Sequence, residues 1–157
     1  MALSYTLTIS EKKLQSRVSA MMPLEKKKYL MTVVLSNPVV DLTRGNNEIA
    51  MFCHIDVFAP GAIKGSGMGK ISGTLSYDSD MGAIFFNNPE VVSLQIRHVP
   101  EKYIPGVKKV IQMVVNKFLT KHPVYRLKAD TLKHKVARLT LTTIKVENKK
   151  LLLVFRV

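Results

Sequence analysis

The sequence predicts an α+β domain that combines a curved antiparallel β-sheet with one long buried α-helix and short helices near the N- and C-terminal ends. Three observations carry this. Period-two alternation with short turns runs from residue 28 to 97, the pattern of an antiparallel meander. Residues 100–121 carry a helical apolar pattern wider than a surface stripe. The 157 residues are 46% hydrophobic, which supports a core and excludes a wholly disordered chain despite a formal net charge of +13. With neither an internal repeat nor a linker, residues 1–157 read as a single domain.

Residues 5–9 alternate and form a short strand. Ser10 caps the helix that follows, with Glu11 well placed in its first turn and Ile9 and Leu14 at the two positions of a hydrophobic staple. Leu14, Val18 and Met21 keep helical spacing until Pro23. Residues 29–43 read as a long strand interrupted at Asn37-Pro38, with a turn at Arg44-Gly45-Asn46-Asn47. Ile49, Met51, Cys53, Ile55 and Val57 then share one strand face, and Phe52, His54, Asp56 and Phe58 the other. Pro60-Gly61 ends that strand. Ile71, Gly73, Leu75 and Tyr77 alternate again, Asp78-Ser79-Asp80 turns the chain, and the pattern continues to Ile96 with a break at Asn87-Asn88-Pro89.

Pro100 and Pro105 suit the first turns of the long helix, and His122-Pro123 stops it. Its apolar residues leave only a narrow polar strip, so most of its surface must be covered. Residues 124–127 look extended, and Asp130 caps a short basic helix through Lys133, Lys135 and Val136. Two strands, 139–146 and 151–155, close the chain around Glu147-Asn148-Lys149.

The positive charge is uneven. Residues 1–96 hold nine Lys/Arg against eight Asp/Glu, whereas residues 97–157 hold fifteen against three. Such a field attracts anionic partners. Nucleic acid is not expected, because the basic third offers few aromatics for base stacking and no recognition fingerprint.

Catalytic chemistry has little to stand on. A phosphate loop ending at Gly69-Lys70 would need glycine where Lys64 stands and Ser or Thr where Ile71 stands. The glycines at 65–69 therefore read as a bulge or bend in a strand. His54, His98, His122 and His134 lack paired-ligand spacing, so neither a metal nor another cofactor is expected. Cys53 lies on an apolar strand face and reads as an inert buried thiol. No catalytic residue is assigned and no enzyme is expected.

The pieces Leu7-Thr8-Ile9-Ser10-Glu11, Gly82-Ala83-Ile84-Phe85-Phe86, Glu90-Val91-Val92 and His122-Pro123-Val124-Tyr125-Arg126-Leu127 resemble the YceB-like lipoproteins of Gram-negative bacteria, an uncharacterised family. That family looks like a small relative of the tubular lipid-binding domains. The resemblance implies a curved antiparallel sheet wrapped around the long helix, enclosing an apolar tunnel. It also implies a place at the cell envelope, on the periplasmic side. There the protein would be membrane-anchored through an N-terminal lipidated cysteine that precedes this chain, since Cys53 lies too deep to serve.

Two functions follow as expectations. The first is a non-enzymatic envelope module holding a lipid or fatty-acyl ligand between helix and sheet. Val107, Val110, Ile111, Val114 and Phe118 would line the space from the helix, with Phe85, Leu94 and Ile96 opposite. Lys108, Lys109, Lys133, Lys135 and Arg138 would meet an anionic headgroup or membrane surface. The second is a basic scaffold with a plain core that docks on an acidic partner: a polyanion, an anionic membrane surface or a protein. The sequence gives no oligomeric state.

Overall fold

The computed structural model describes residues 4–43, 45–137 and 139–157. In chain order the elements are β1 (Ser4–Ser10), α1 (Glu11–Ser19), β2 (Leu24–Lys28), β3 (Met31–Asp41), β4 (Glu48–Ala59), β5 (Ile63–Asp78) and β6 (Ala83–Arg97). A 3-10 turn at Glu101–Tyr103 leads into α2 (Ile104–Lys121), followed by β7 (Tyr125–Arg126), α3 (Ala129–His134), β8 (Thr140–Glu147) and β9 (Lys150–Arg156). Every strand pair is antiparallel, in a six-stranded sheet ordered β2-β3-β4-β5-β6-β7 and a three-stranded sheet ordered β1-β9-β8.

This corrects the expected fold class. The protein is mostly β, 55% strand against 24% helix, with two sheets, and no single sheet wraps the long helix. The reason is a pairing between chain ends. β1 runs beside β9 from Ser4↔Arg156 to Ser10↔Lys150, so the terminal strands take each other as partners instead of extending the meander. The short helices appear near both ends, as α1 and α3.

Ser10 caps α1 by accepting a hydrogen bond from the Lys13 backbone N–H at 3.1 Å. On β4, Ile49, Met51, Cys53, Ile55 and Val57 are all buried, as the alternation predicts. α2 lies mainly over β6, with lesser contact to β2 and β3, and buries Val107, Val110, Ile111, Val115 and Leu119. Each such side chain stabilises the fold by roughly 1.5–3 kcal/mol relative to exposure. The smaller sheet meets β4 and β5 through β8, and Tyr77 packs edge-on against Phe155 with ring centroids 5.4 Å apart.

Two glutamines clip the helices to the sheet where an Asn-Pro pair interrupts a strand. The Gln15 side chain on α1 accepts from the Val40 N–H at 2.6 Å and donates to the Pro38 carbonyl. On α2, Gln112 Oε1 accepts from the Val91 N–H at 3.0 Å, and its Nε2 donates to the Pro89 carbonyl at 2.7 Å. Each amide replaces bonds that the broken strand cannot make. Glycines 65, 67, 69 and 73 all lie within β5, in a strand and not in a phosphate loop. At Gly67 a Cβ would collide with the backbone of Gln95 on β6, so close strand approach requires glycine there.

The strand expected from residue 29 begins at Met31. Tyr29 and Leu30 form instead the two-residue turn of the β2–β3 hairpin, closed by Lys28↔Met31. Both are left-handed, with φ of 55° and 62°. Such a turn favours Asn and Gly, and Asn148 opens the corresponding β8–β9 turn. A bulky side chain in this region costs about 1–2 kcal/mol per residue.

Candidate functional site

β2 forms one edge of the six-stranded sheet and lies beside α2. Its sequence, Leu24-Glu25-Lys26-Lys27-Lys28, buries Leu24, half-buries Lys26 and exposes Lys27 and Lys28. On α2, Met113, Val114, Lys117, Phe118 and Lys121 recur at helical spacing beside the core stripe, so they share the face flanking it. Between the two elements lies an open groove of about 500 Å³. Leu24, Met113, Val114 and Phe118 supply apolar surface, and Glu25, Lys26, Lys28, Lys117, Lys121 and His122 the polar lining. Phe118 stacks on His122 with ring centroids 4.2 Å apart. The volume falls in the ~300–1,000 Å³ range of small-molecule sites. Lysine stems add apolar surface while their ammonium groups stay in water, so the groove can hold an alkyl chain and an anionic group together.

The expected lining residues do not converge on one space. Val107, Val110 and Ile111 are core side chains, at most 1% exposed. Val114 and Phe118 line the groove. Phe85 lines a separate surface depression with Ser76, Asn87 and Thr120, and Leu94 and Ile96 line another with His54, Met68 and Ile104. The excess apolar width of the helix thus resolves into two adjoining faces, one packed and one half-covered.

The expected cationic residues divide as well. Lys108 and Lys109 are exposed near the start of α2, Lys133 and Lys135 are exposed on and just after α3, and Arg138 lies outside the described residues. Lys26, Lys28, Lys117 and Lys121 escaped the sequence reading as a group, because only folding brings β2 beside α2. The run of three lysines beside Tyr29-Leu30 was the available signal.

Among the described residues, the titratable groups elsewhere make no comparable site. Burial pushes the Cys53 thiol up to about 12, so its reactive thiolate is suppressed. His54 Nε2 lies 3.2 Å from Asp56 Oδ1, and His134 Nε2 3.7 Å from Asp130 Oδ1. All four of these side chains are at least 36% exposed. Among the described residues, no group of three or more His, Cys, Asp or Glu could hold a metal ion, and no helix is long and apolar enough to cross a membrane.

Against known families, residues 9–150 match the model described as "Protein of unknown function (DUF1439)", a span that contains β2, α2 and the groove between them. No curated protein matches the chain.

Proposed function

The chain belongs to the DUF1439 family, whose function is unknown, and on that premise we propose a non-enzymatic module that binds an anionic amphiphile in the β2–α2 groove. The ligand class is a fatty-acyl chain bearing a carboxylate or phosphate. One observation carries the reading: the apolar surface of Leu24, Met113, Val114 and Phe118 stands among four lysines. The finer kinship, with the YceB-like lipoproteins, belongs to the same proposal, as does a place on the periplasmic side of the cell envelope. The open groove takes the role that the resemblance gave to a closed tunnel.

Fluorescence titration with a conjugated polyene fatty acid, followed by competition with palmitate and with a neutral monoacylglycerol, tests this. Saturable binding to one site is expected, with palmitate the stronger competitor. Phe118→Asp sets a charge on the half-covered face and should weaken binding about tenfold or more, while the fold survives because the core stripe is untouched. Lys117→Glu with Lys121→Glu should weaken palmitate more than the neutral lipid. No saturable binding, or equal binding to the Phe118→Asp variant, would refute the reading.

The basic-scaffold alternative draws on Lys133 and Lys135, which stand outside this groove. It predicts polyanion binding that falls steeply with salt and is indifferent to Phe118→Asp.

A further inference from the structure

We propose that the β2–β3 hairpin is a membrane-docking tip, inserting Tyr29 and Leu30 into the interface of an anionic bilayer while a collar of lysines meets the headgroups. Leu30 is 88% exposed, the most open of the large exposed hydrophobic side chains, and Tyr29 is 52% exposed. They occupy the apex of a hairpin in a left-handed turn, where a chain selected for stability alone would carry Asn and Gly. A strained backbone holding two apolar side chains outward suggests that those side chains are used.

The surroundings identify the occupant. Strand register places the β4–β5 hairpin at the same end of the sheet, with Phe58 opposite both Thr32 and Lys64. The start of α2 reaches that end too, since Gly106 adjoins Met31 and Lys109 lies over the Tyr29 ring at 6.0 Å. Lys28 lies 5.6 Å from the same ring, and Lys64 5.6 Å from the Phe58 ring. Lys27, Lys102 and Lys108 are also exposed on these segments, with Glu25, Asp56 and Glu101 the opposing charges. An apex of Tyr and Leu ringed by lysines matches the two halves of an anionic bilayer surface, the aromatic and aliphatic groups at the acyl boundary and the ammonium groups among phosphates.

Size argues against a protein partner. Specific protein interfaces bury about 1,000 Å² or more in total, and a two-residue apex offers far less apolar surface. Insertion into a bilayer gains from each buried side chain separately.

This inference deepens the proposed function by naming how the module meets its lipid source. Its test reads vesicle association, not groove occupancy, so either can fail while the other stands.

The experiment is co-sedimentation of the full chain with vesicles of phosphatidylcholine, with and without phosphatidylglycerol. Binding is expected to the anionic vesicles, weakened by salt. Tyr29→Asn with Leu30→Gly installs the residues the turn prefers. This variant should unfold at the same or higher urea concentration, yet bind about tenfold or more weakly. Because the chain contains no Trp, Leu30→Trp provides a single reporter. Its emission should shift to the blue with anionic vesicles and be quenched by brominated acyl chains. Three results would each overturn the proposal: undiminished binding by the double variant, equal binding to both vesicle types, or absence of binding. Self-association of the parent chain that the double variant abolishes would assign the tip to a second copy and overturn it as well.

Discussion

Replacing Gln112 with alanine tests whether the position of α2, and with it one wall of the groove, depends on a single side-chain amide. Gln112 joins the helix to β6 by accepting from the Val91 N–H and donating to the Pro89 carbonyl, and its Nε2 also lies 3.0 Å from Asn116 Oδ1. Val91 is buried, so truncation strands its N–H away from other partners. Each lost hydrogen bond contributes about 0.5–1.5 kcal/mol net, and an unsatisfied buried group costs about 1–3 kcal/mol. The better helix propensity of alanine offsets a few tenths of a kcal/mol. The expected loss is therefore about 2 kcal/mol. In urea unfolding, with a slope of about 2 kcal/mol/M, the midpoint should fall by about 1 M at unchanged slope. Gln112→Glu keeps the acceptor for Val91 but loses the donation to Pro89, and should lie between parent and alanine variant. A loss below about 0.5 kcal/mol, the range of an ordinary surface substitution, would show that the apolar stripe seats α2 without the clip.

Two further outcomes follow from the core and the sheet. The Cys53 thiol has a folded pKa of about 12 against an ordinary value of 9.0, so above pH 9 the unfolded chain sheds a proton that the folded chain retains. Stability should therefore be complete below pH 9 and fall toward pH 12 by up to about 1.4 kcal/mol per pH unit. Cys53→Ala should remove this part of the alkaline slope in paired urea melts, and an unchanged slope would count against the buried thiol. Gly67→Ala, which drives a Cβ into the Gln95 backbone, should destabilise by about 1–3 kcal/mol. A neutral result in thermal unfolding would mean that β5 and β6 can separate at that point without loss.

Local periodicity carries much of the fold but not its partition. The buried face of β4, the Ser10 cap and the extent of α2 follow from residue spacing, because each depends on neighbours within a few positions. The second sheet does not, since the β1–β9 pairing joins residues from opposite ends of the chain and leaves no local trace. β2 escapes for another reason. Its run of charged residues protects an edge against pairing with other chains and hides the alternation by which strands are recognised. The Tyr29-Leu30 turn lacks every usual turn residue, so its apolar character reads as strand. At the groove, Val114 and Phe118 belong to the anticipated lining, while the rim lysines become a group only in three dimensions.

The pairing of β1 with β9 also constrains the order of assembly. β2 to β6 are joined in sequence by hairpins, so each can add to a neighbour already made. β1 is synthesised ahead of the meander, yet its partner β9 follows β2 to β8 and all three helices. Until β9 is made, Ile9 and its neighbours lack their partner strand, which exposes an unpaired strand to misassociation. Closure of so distant a contact is entropically slow, and the final step of folding should be the docking of this sheet onto a meander that is already formed.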